Sequence, residues 1–377
     1  MLYKYSLLAF CLLLVQRINA YQCGTFQEQI KYYHKSAHLP KLDLQPQISH
    51  GNPVKSNNKW PWLVALFAHE ADICGGGSNK FCCTASIIGP QHVLTAAHCF
   101  MSFKGEQREN MHKNIFVRLG SYNHSSKQAI QPKLEKVIVH SEYDELTFVN
   151  DLAIIKLAQP MFFTENVEPI CLASSTSEKG PNNNLHIVGW GHQNEAEYDE
   201  EGNERWREPD VAPEMLREGL AQMRNEDECA KLLHDKLGLS LDGRICMEIG
   251  HQNSEPGDSG GPLMQLTQNG NIWTQIGVSS ISTLKKDSRV AILYTRVSRH
   301  CDWIEKNTDG EGSIKSPLIR ILSASPCSPP CSRWCLQHQQ AVEHHRPAAR
   351  RLHSQDGNVT DGQDRWSLFS LHNDYGR

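Results

Sequence analysis

The chain has 377 residues, of which 39% are hydrophobic, enough to bury a real core as one large domain or two ordinary ones. Its 38 basic residues against 42 acidic ones leave a formal charge of -4, which excludes a general attraction to nucleic acid or to an anionic membrane surface. A partner has to be argued from a local site.

Residues 1–20, MLYKYSLLAFCLLLVQRINA, combine Lys4, an apolar run from Leu7 to Val15 and the ending Ile18-Asn19-Ala20. This is the charge, core and small-residue pattern of a secretory signal cleaved after Ala20. About nine apolar residues fall short of the roughly 20 that a membrane-crossing helix needs. The expectation is a secreted, extracellular chain with no membrane span. Of the 13 cysteines all but Cys11 follow the signal, and outside the cytoplasm they can pair. The sequons at Asn123 and Asn358 fit a glycoprotein on that route.

Residues 21–47 are polar with the single cysteine Cys23 and read as a pro-segment. From Trp60 to Trp303 short apolar runs (WLVAL, TASII, NIFVRL, KVIVH, DLAIIKL, LHIVGW, TQIGVSS) alternate with Gly, Pro, Asn and Asp. Many short strands with few helical patterns predict an all-β sandwich or barrel. One helix is predicted near the end of this body, with Val297, Cys301 and Ile304 on one face and Ser298 as its cap. Gln193 to Asp210 holds eight acidic residues against two arginines and reads as an exposed insert. Beyond Asn307 the chain is rich in Ser, Pro, His, Gln and Arg and has no hydrophobic period. Residues 308–377 read as a low-complexity, flexible tail; the alternative is a small knot or metal site built on Cys327, Cys331 and Cys335.

An alcohol is a poor nucleophile at neutral pH; it needs a base within hydrogen-bond reach and a third group to hold that base in the right tautomer. LTAAHC supplies His98, DLAIIKL supplies Asp151 and GDSGGPL supplies Ser259. Glycines beside the serine let the backbone N–H groups of Gly257 and Ser259 close on a developing oxyanion. With PWLVAL, VRLGSYN, VEPICL, VGWG and YTRVS…DWI, these motifs resemble the trypsin-like, chymotrypsin-fold serine peptidases from about Ile48 to Asn307. The resemblance implies a peptidase domain over 48–307, folded as two packed six-stranded antiparallel barrels with a cleft between them and a short C-terminal helix. It implies a serine endopeptidase acting on a protein or peptide substrate through an acyl-enzyme. His98 would be base and then acid, Asp151 its orienting carboxylate and Ser259 the nucleophile. No cofactor and no metal site is expected.

The same resemblance implies the disulfides Cys83–Cys99, Cys229–Cys246 in the loop leading to the serine, and Cys23–Cys171 tethering the pro-segment. Two bridges common in the family are missing: Leu185 and Gln265 stand at both ends of one, and Glu255 at one end of the other. Cys74 and Cys82 flank the glycine-rich tip CGGGSNKFC and would pair across it. Cys301 is either a core thiol or a tie to one of the tail cysteines.

In this family a freed N-terminal amine buries itself against the Asp beside the serine and shapes the oxyanion hole. Ile48 and Asp258 stand at those positions. The residue before Ile48 is Gln47 rather than Arg or Lys. Either an activating protease of another preference cuts there, or the chain stays in a zymogen-like state.

The base of the family's primary pocket lies six residues before the nucleophile, at Asn253, whose neutral amide disfavours trypsin specificity. Ser280, Ile281 and Ser282 fall on the edge that pairs with substrate backbone, and Ile292 stands where a glycine normally keeps the slot open. A branched side chain there fills volume that a large ligand would need. The expectation is a shallow, apolar pocket for a small aliphatic residue. The competing expectation is a peptidase-fold protein without significant catalysis that binds or regulates another protein, favoured by the activation bond, the altered pocket and the tail. The complete triad speaks against it.

Overall fold

The computed structural model describes residues 23–24, 51–69, 80–103, 106–174, 185–192, 197–198, 204–205, 214–249, 253–266, 272–285, 288–310 and 367–370. The expectations placed on residues 1–20, Ile48, Cys74, Asn358, the tail cysteines and most of the pro-segment and acidic insert lie outside them. In chain order the strands are β1 Asn52–Pro53, β2 Leu63–Ala68, β3 Lys80–Ile87, β4 His92–Thr95, β5 Ile115–Leu119, β6 Leu134–Val139, β7 Ala153–Leu157, β8 Cys171–Leu172 and β9 Leu185–Gly189. They continue as β10 Glu197–Tyr198, β11 Glu204–Arg205, β12 Arg217–Ala221, β13 Arg244–Met247, β14 Pro262–Leu266, β15 Trp273–Lys285, β16 Ser288–Arg296 and β17 Ser367–Ser370.

Two curled antiparallel sheets carry the fold. The first has six strands in the order β5-β2-β3-β4-β7-β6. Every residue of β2, LVALFA, is buried, because one face lines the inside of the curled sheet and the other is covered by the rest of the protein. The second has nine strands, with the path β1-β12-β9-β14-β15-β16-β13 and with β8 and β17 added to β15. Without the short additions β1, β8 and β17, the six-stranded core expected of the second barrel remains. Buried groups stitch the sheets together: Ser86 Oγ donates to Gln275 Oε1 at 2.7 Å, and the Thr84 N–H donates to the Ser259 carbonyl at 2.9 Å.

Val297, Cys301 and Ile304 are buried as the helical pattern requires. The local structure is a 3-10 turn, Val297–Arg299, followed by an α-helix, Cys301–Asn307, so the residue at the N-cap is His300 and not Ser298. A second helix, Glu226–Leu237, occupies the stretch read as a loop leading to the serine. Asn225 Oδ1 caps it by accepting from the N–H groups of Asp227 and Glu228, and Gly238 ends it at φ 65°. Cys229 and Leu233 form its buried stripe.

The disulfides Cys23–Cys171, Cys83–Cys99 and Cys229–Cys246 are formed. Cys82 and Cys301 are also disulfide-bonded, to partners outside the described residues, so Cys301 is no free core thiol. Beside the Cys23–Cys171 bridge the Trp273 N–H donates to the Gly24 carbonyl at 2.9 Å, seating Gly24 against β15.

Candidate active site

The register of the first sheet brings the acid and the imidazole together. Thr95 at the end of β4 opposes Ala153 at the start of β7. His98 follows β4 in a 3-10 turn, His98–Phe100, and Asp151 precedes β7. Both are fully buried. Nδ1–H of His98 donates to Asp151 Oδ2 at 2.7 Å, and the His98 backbone N–H donates to Asp151 Oδ1 at 2.9 Å. A donating Nδ1 leaves Nε2 as the basic nitrogen of the neutral ring. Phe148, in a loop where it and Asn150 both hold φ 56°, lies edge-on to the ring at 5.9 Å.

Ser259 comes from the second sheet, in the buried turn before β14. The following Gly260 N–H donates to the Ser279 carbonyl on β15 at 2.8 Å, which fixes the turn to the sheet. Gly257 holds φ 98°, and a Cβ there would lie 2.9 Å from the Phe81 ring and 3.0 Å from Gly191 Cα, so the position admits only glycine. Among the described residues neither Gly257 nor Ser259 gives its backbone N–H to another backbone group. Ser259 Oγ is buried without a hydrogen-bond partner among the described residues. The link from ring to alcohol is therefore not closed here; such bonds often tighten only when substrate is present.

The hydroxyl of Ser280 donates to Asp151 Oδ2 at 2.5 Å. Burial would push the Asp151 carboxyl up, but the charge and hydrogen bonds of His98 and the Ser280 hydroxyl outweigh it and hold the group below the usual carboxylate range. The arrangement offers a ring nitrogen held by a buried carboxylate and, from the second sheet, a buried alcohol.

A model of the family described as trypsin matches residues 48–304. The chain belongs to the trypsin family. Transmembrane protease serine 11G of Rattus norvegicus is 28% identical over 266 residues, covering 70% of this chain and 56% of that protein. The Mus musculus protein of the same name is 29% identical over 265 residues, covering 70% of this chain and 55% of its own. The Suppressor of tumorigenicity 14 protein homolog of Bos taurus is 28% identical over 261 residues, covering 68% and 27%. The chain thus spans about half the length of the two rodent relatives.

These trypsin-family relatives correct the expectation of a protein without a membrane span. That expectation rested on the shortness of the run Leu7 to Val15 and on no later segment being long enough, whereas the two rodent relatives are transmembrane proteases by name and exceed the matched region by nearly half their length. Among the described residues no helix is long and apolar enough to cross a membrane.

The other expected trypsin-family positions fall as follows. Asn253 and Ile292 line one small cavity with Met247 and Tyr294, and Ser282 opposes Ile292 across β15 and β16. All three are buried. Asp258 is buried beside the nucleophile and accepts from the Gly191 N–H at 2.8 Å and the Glu255 N–H at 2.9 Å. The carboxylate sits where a Cβ on Gly191 would come within 2.5 Å of it, which accounts for the glycine in VGWG. Burial pushes its pKa up to about 7. Cys83, His98 and Cys99 bring potential metal-binding atoms within 4.8 Å, but the sulfurs are joined to each other and offer no thiolate. Asn123 is half-buried, and its Oδ1 accepts from the Ser125 N–H at 2.8 Å.

Proposed function

We propose that this chain is a serine endopeptidase that hydrolyses peptide bonds through an acyl-enzyme. The observation that supports it most is the buried hydrogen bond from His98 Nδ1 to Asp151 Oδ2, because it makes Nε2 the proton acceptor and stabilises the imidazolium that follows. Ser259 Oγ attacks the substrate carbonyl carbon while its proton passes to His98 Nε2. The N–H groups of Gly257 and Ser259 take up the oxyanion. His98 then gives the proton to the leaving amine, the C–N bond breaks and an ester on Ser259 remains. Water repeats the cycle: His98 accepts its proton, and the ester bond breaks to return the alcohol.

In this reading the peptidase domain spans 48–307, between a pro-segment at 21–47 and a tail at 308–377. An activating protease frees the amine of Ile48, which pairs with Asp258. The latter has no ion pair among the described residues and is poised to receive a cation. Asn253 and Ile292 set a shallow apolar pocket for a small aliphatic side chain. The disulfides favour an oxidising compartment outside the cytoplasm, and the names of the rodent relatives favour a domain held at a membrane there.

Labelling with a fluorophosphonate before and after limited proteolysis tests the reading, since only an activated serine reacts. The expected result is a label that appears after proteolysis and is lost in Ser259→Ala. A folded protein that takes no label in either state would leave the binding or regulatory protein as the better account.

A further inference from the structure

The long strand β15 is paired on one edge by β16, with Ile281 opposite Leu293, Ser282 opposite Ile292 and Thr283 opposite Ala291. Its other edge is occupied over the same residues by β17, from the distant C-terminal tail. Ser370 opposes Ile281, Phe369 opposes Ser282, Leu368 opposes Thr283 and Ser367 opposes Leu284, all antiparallel.

This edge leads into the candidate active site. Ser280, the residue before it, bonds Asp151, and Ser279 holds Gly260 next to the nucleophile. A polypeptide added antiparallel along Ile281–Leu284 therefore runs with its C-terminal end toward Ser259. An extended peptide offering a carbonyl to Ser259 needs a nearby row of backbone donors and acceptors, and adding a strand to a free sheet edge is the simplest way to obtain one. Each N–H and C=O on that edge can pair with one strand at a time.

We propose that residues 367–370 of the same chain occupy the β15 edge over Ile281–Leu284 in the resting protein and so exclude an incoming substrate peptide. The tail is joined to the body at the helix Cys301–Asn307, and residues 311–366 lie between the last described residue of the body and β17. Tethering over that length of chain gives a local concentration on the order of 1 mM. A strand that binds only weakly as a free peptide can then fill the edge for much of the time, and it is displaced by a tighter substrate or removed by a cut in the tail. That the displaced peptide is also cleaved rests on the peptidase reading above; the docking itself does not.

The test uses the full chain and Phe369→Pro, with Leu368→Pro as a second variant. Proline takes a donor from the added strand and is disfavoured within a ladder, while the body is left untouched. Hydrogen exchange of the Ile281–Leu284 amides is expected to be at least tenfold faster in either variant. A fluorescent peptide of sequence DRWSLFSLHND is expected to bind the variants at least tenfold tighter than the full chain. In the label-competent enzyme, KM for peptide substrates should fall by a similar factor with kcat unchanged. Equal exchange and equal peptide binding in full chain and variants would overturn the docking. Faster exchange and tighter binding in a protein that never takes the fluorophosphonate would sustain the docking and defeat only the peptidase reading.

Discussion

The hydroxyl of Ser280 donates to Asp151 Oδ2 at 2.5 Å, so a side chain of the second sheet completes the acid–imidazole pair that the first sheet builds. With the two donors of His98, it gives the buried carboxylate three hydrogen bonds. Ser280→Ala removes one and leaves His98 in place. A bond to a buried charge contributes about 1.5–3 kcal/mol, so a stability loss of that order is expected in thermal unfolding. A tenfold or smaller fall in kcat with KM unchanged is expected in steady-state assays, since His98 keeps its tautomer. An unchanged melting temperature would mean the hydroxyl adds nothing.

Asp151→Asn tests the tautomer argument. An amide can turn its NH2 toward Nδ1, which forces the proton onto Nε2 and removes the base facing Ser259. A loss of about 10⁴-fold in kcat is expected, a magnitude borrowed from a member of the same peptidase family. The far-UV circular dichroism spectrum should stay as in the parent chain, because the fold does not depend on that carboxylate's charge.

Much of this site is legible in the sequence for a physical reason. His98, Asp151 and Ser259 sit at strand ends, where glycines and small residues mark the turns and the apolar runs mark the strands. Gly191 and Gly257 are there because another atom occupies the space a Cβ would need. The helix Glu226–Leu237 was also open to reading: Asn225, an acidic first turn and Gly238 are its start and stop signals. The bond from Ser280 to Asp151 had no such signal, because period-two alternation does not say which way a hydroxyl turns across a cleft. Nor did β17, a short run of the tail whose pairing depends on an edge far away in the chain.

Ile292→Gly tests the pocket. Ile292 is buried between Ser282 and Met247, its cross-strand partners, and shares a cavity with Asn253. Removing its side chain opens volume toward the pocket base. The expected outcome is a shift in kcat/KM away from substrates ending in Ala or Val and toward Leu or Phe, by tenfold or more, the range that one or two methylenes allow. Loss of the buried isoleucine also destabilises the domain, by about 2–5 kcal/mol, so the comparison is the ratio between substrates in the same folded preparation. A ratio equal to the parent's would place the specificity elsewhere.

Asp258 predicts the direction in which the uncleaved chain responds to pH. Its carboxyl is raised by burial from 3.8 to about 7, with the neighbouring Glu255 adding to the rise and the N–H groups of Glu255 and Gly191 and the charge of His192 opposing it. A raised pKa means that the folded chain keeps a proton which the unfolded chain has released. Stability from this group is therefore full below about pH 4 and is lost as pH climbs through 7, by at most about 4 kcal/mol. Glu168, also raised to about 7 by burial, contributes with the same sign, so the comparison must be with Asp258→Asn. Melting temperatures measured from pH 4 to 7 should fall more steeply in the uncleaved parent than in that variant. After cleavage before Ile48 a paired amine would favour the carboxylate, lower its pKa and reverse the slope. Equal slopes in parent and variant before cleavage would mean that Asp258 is already ionised and held by a charge.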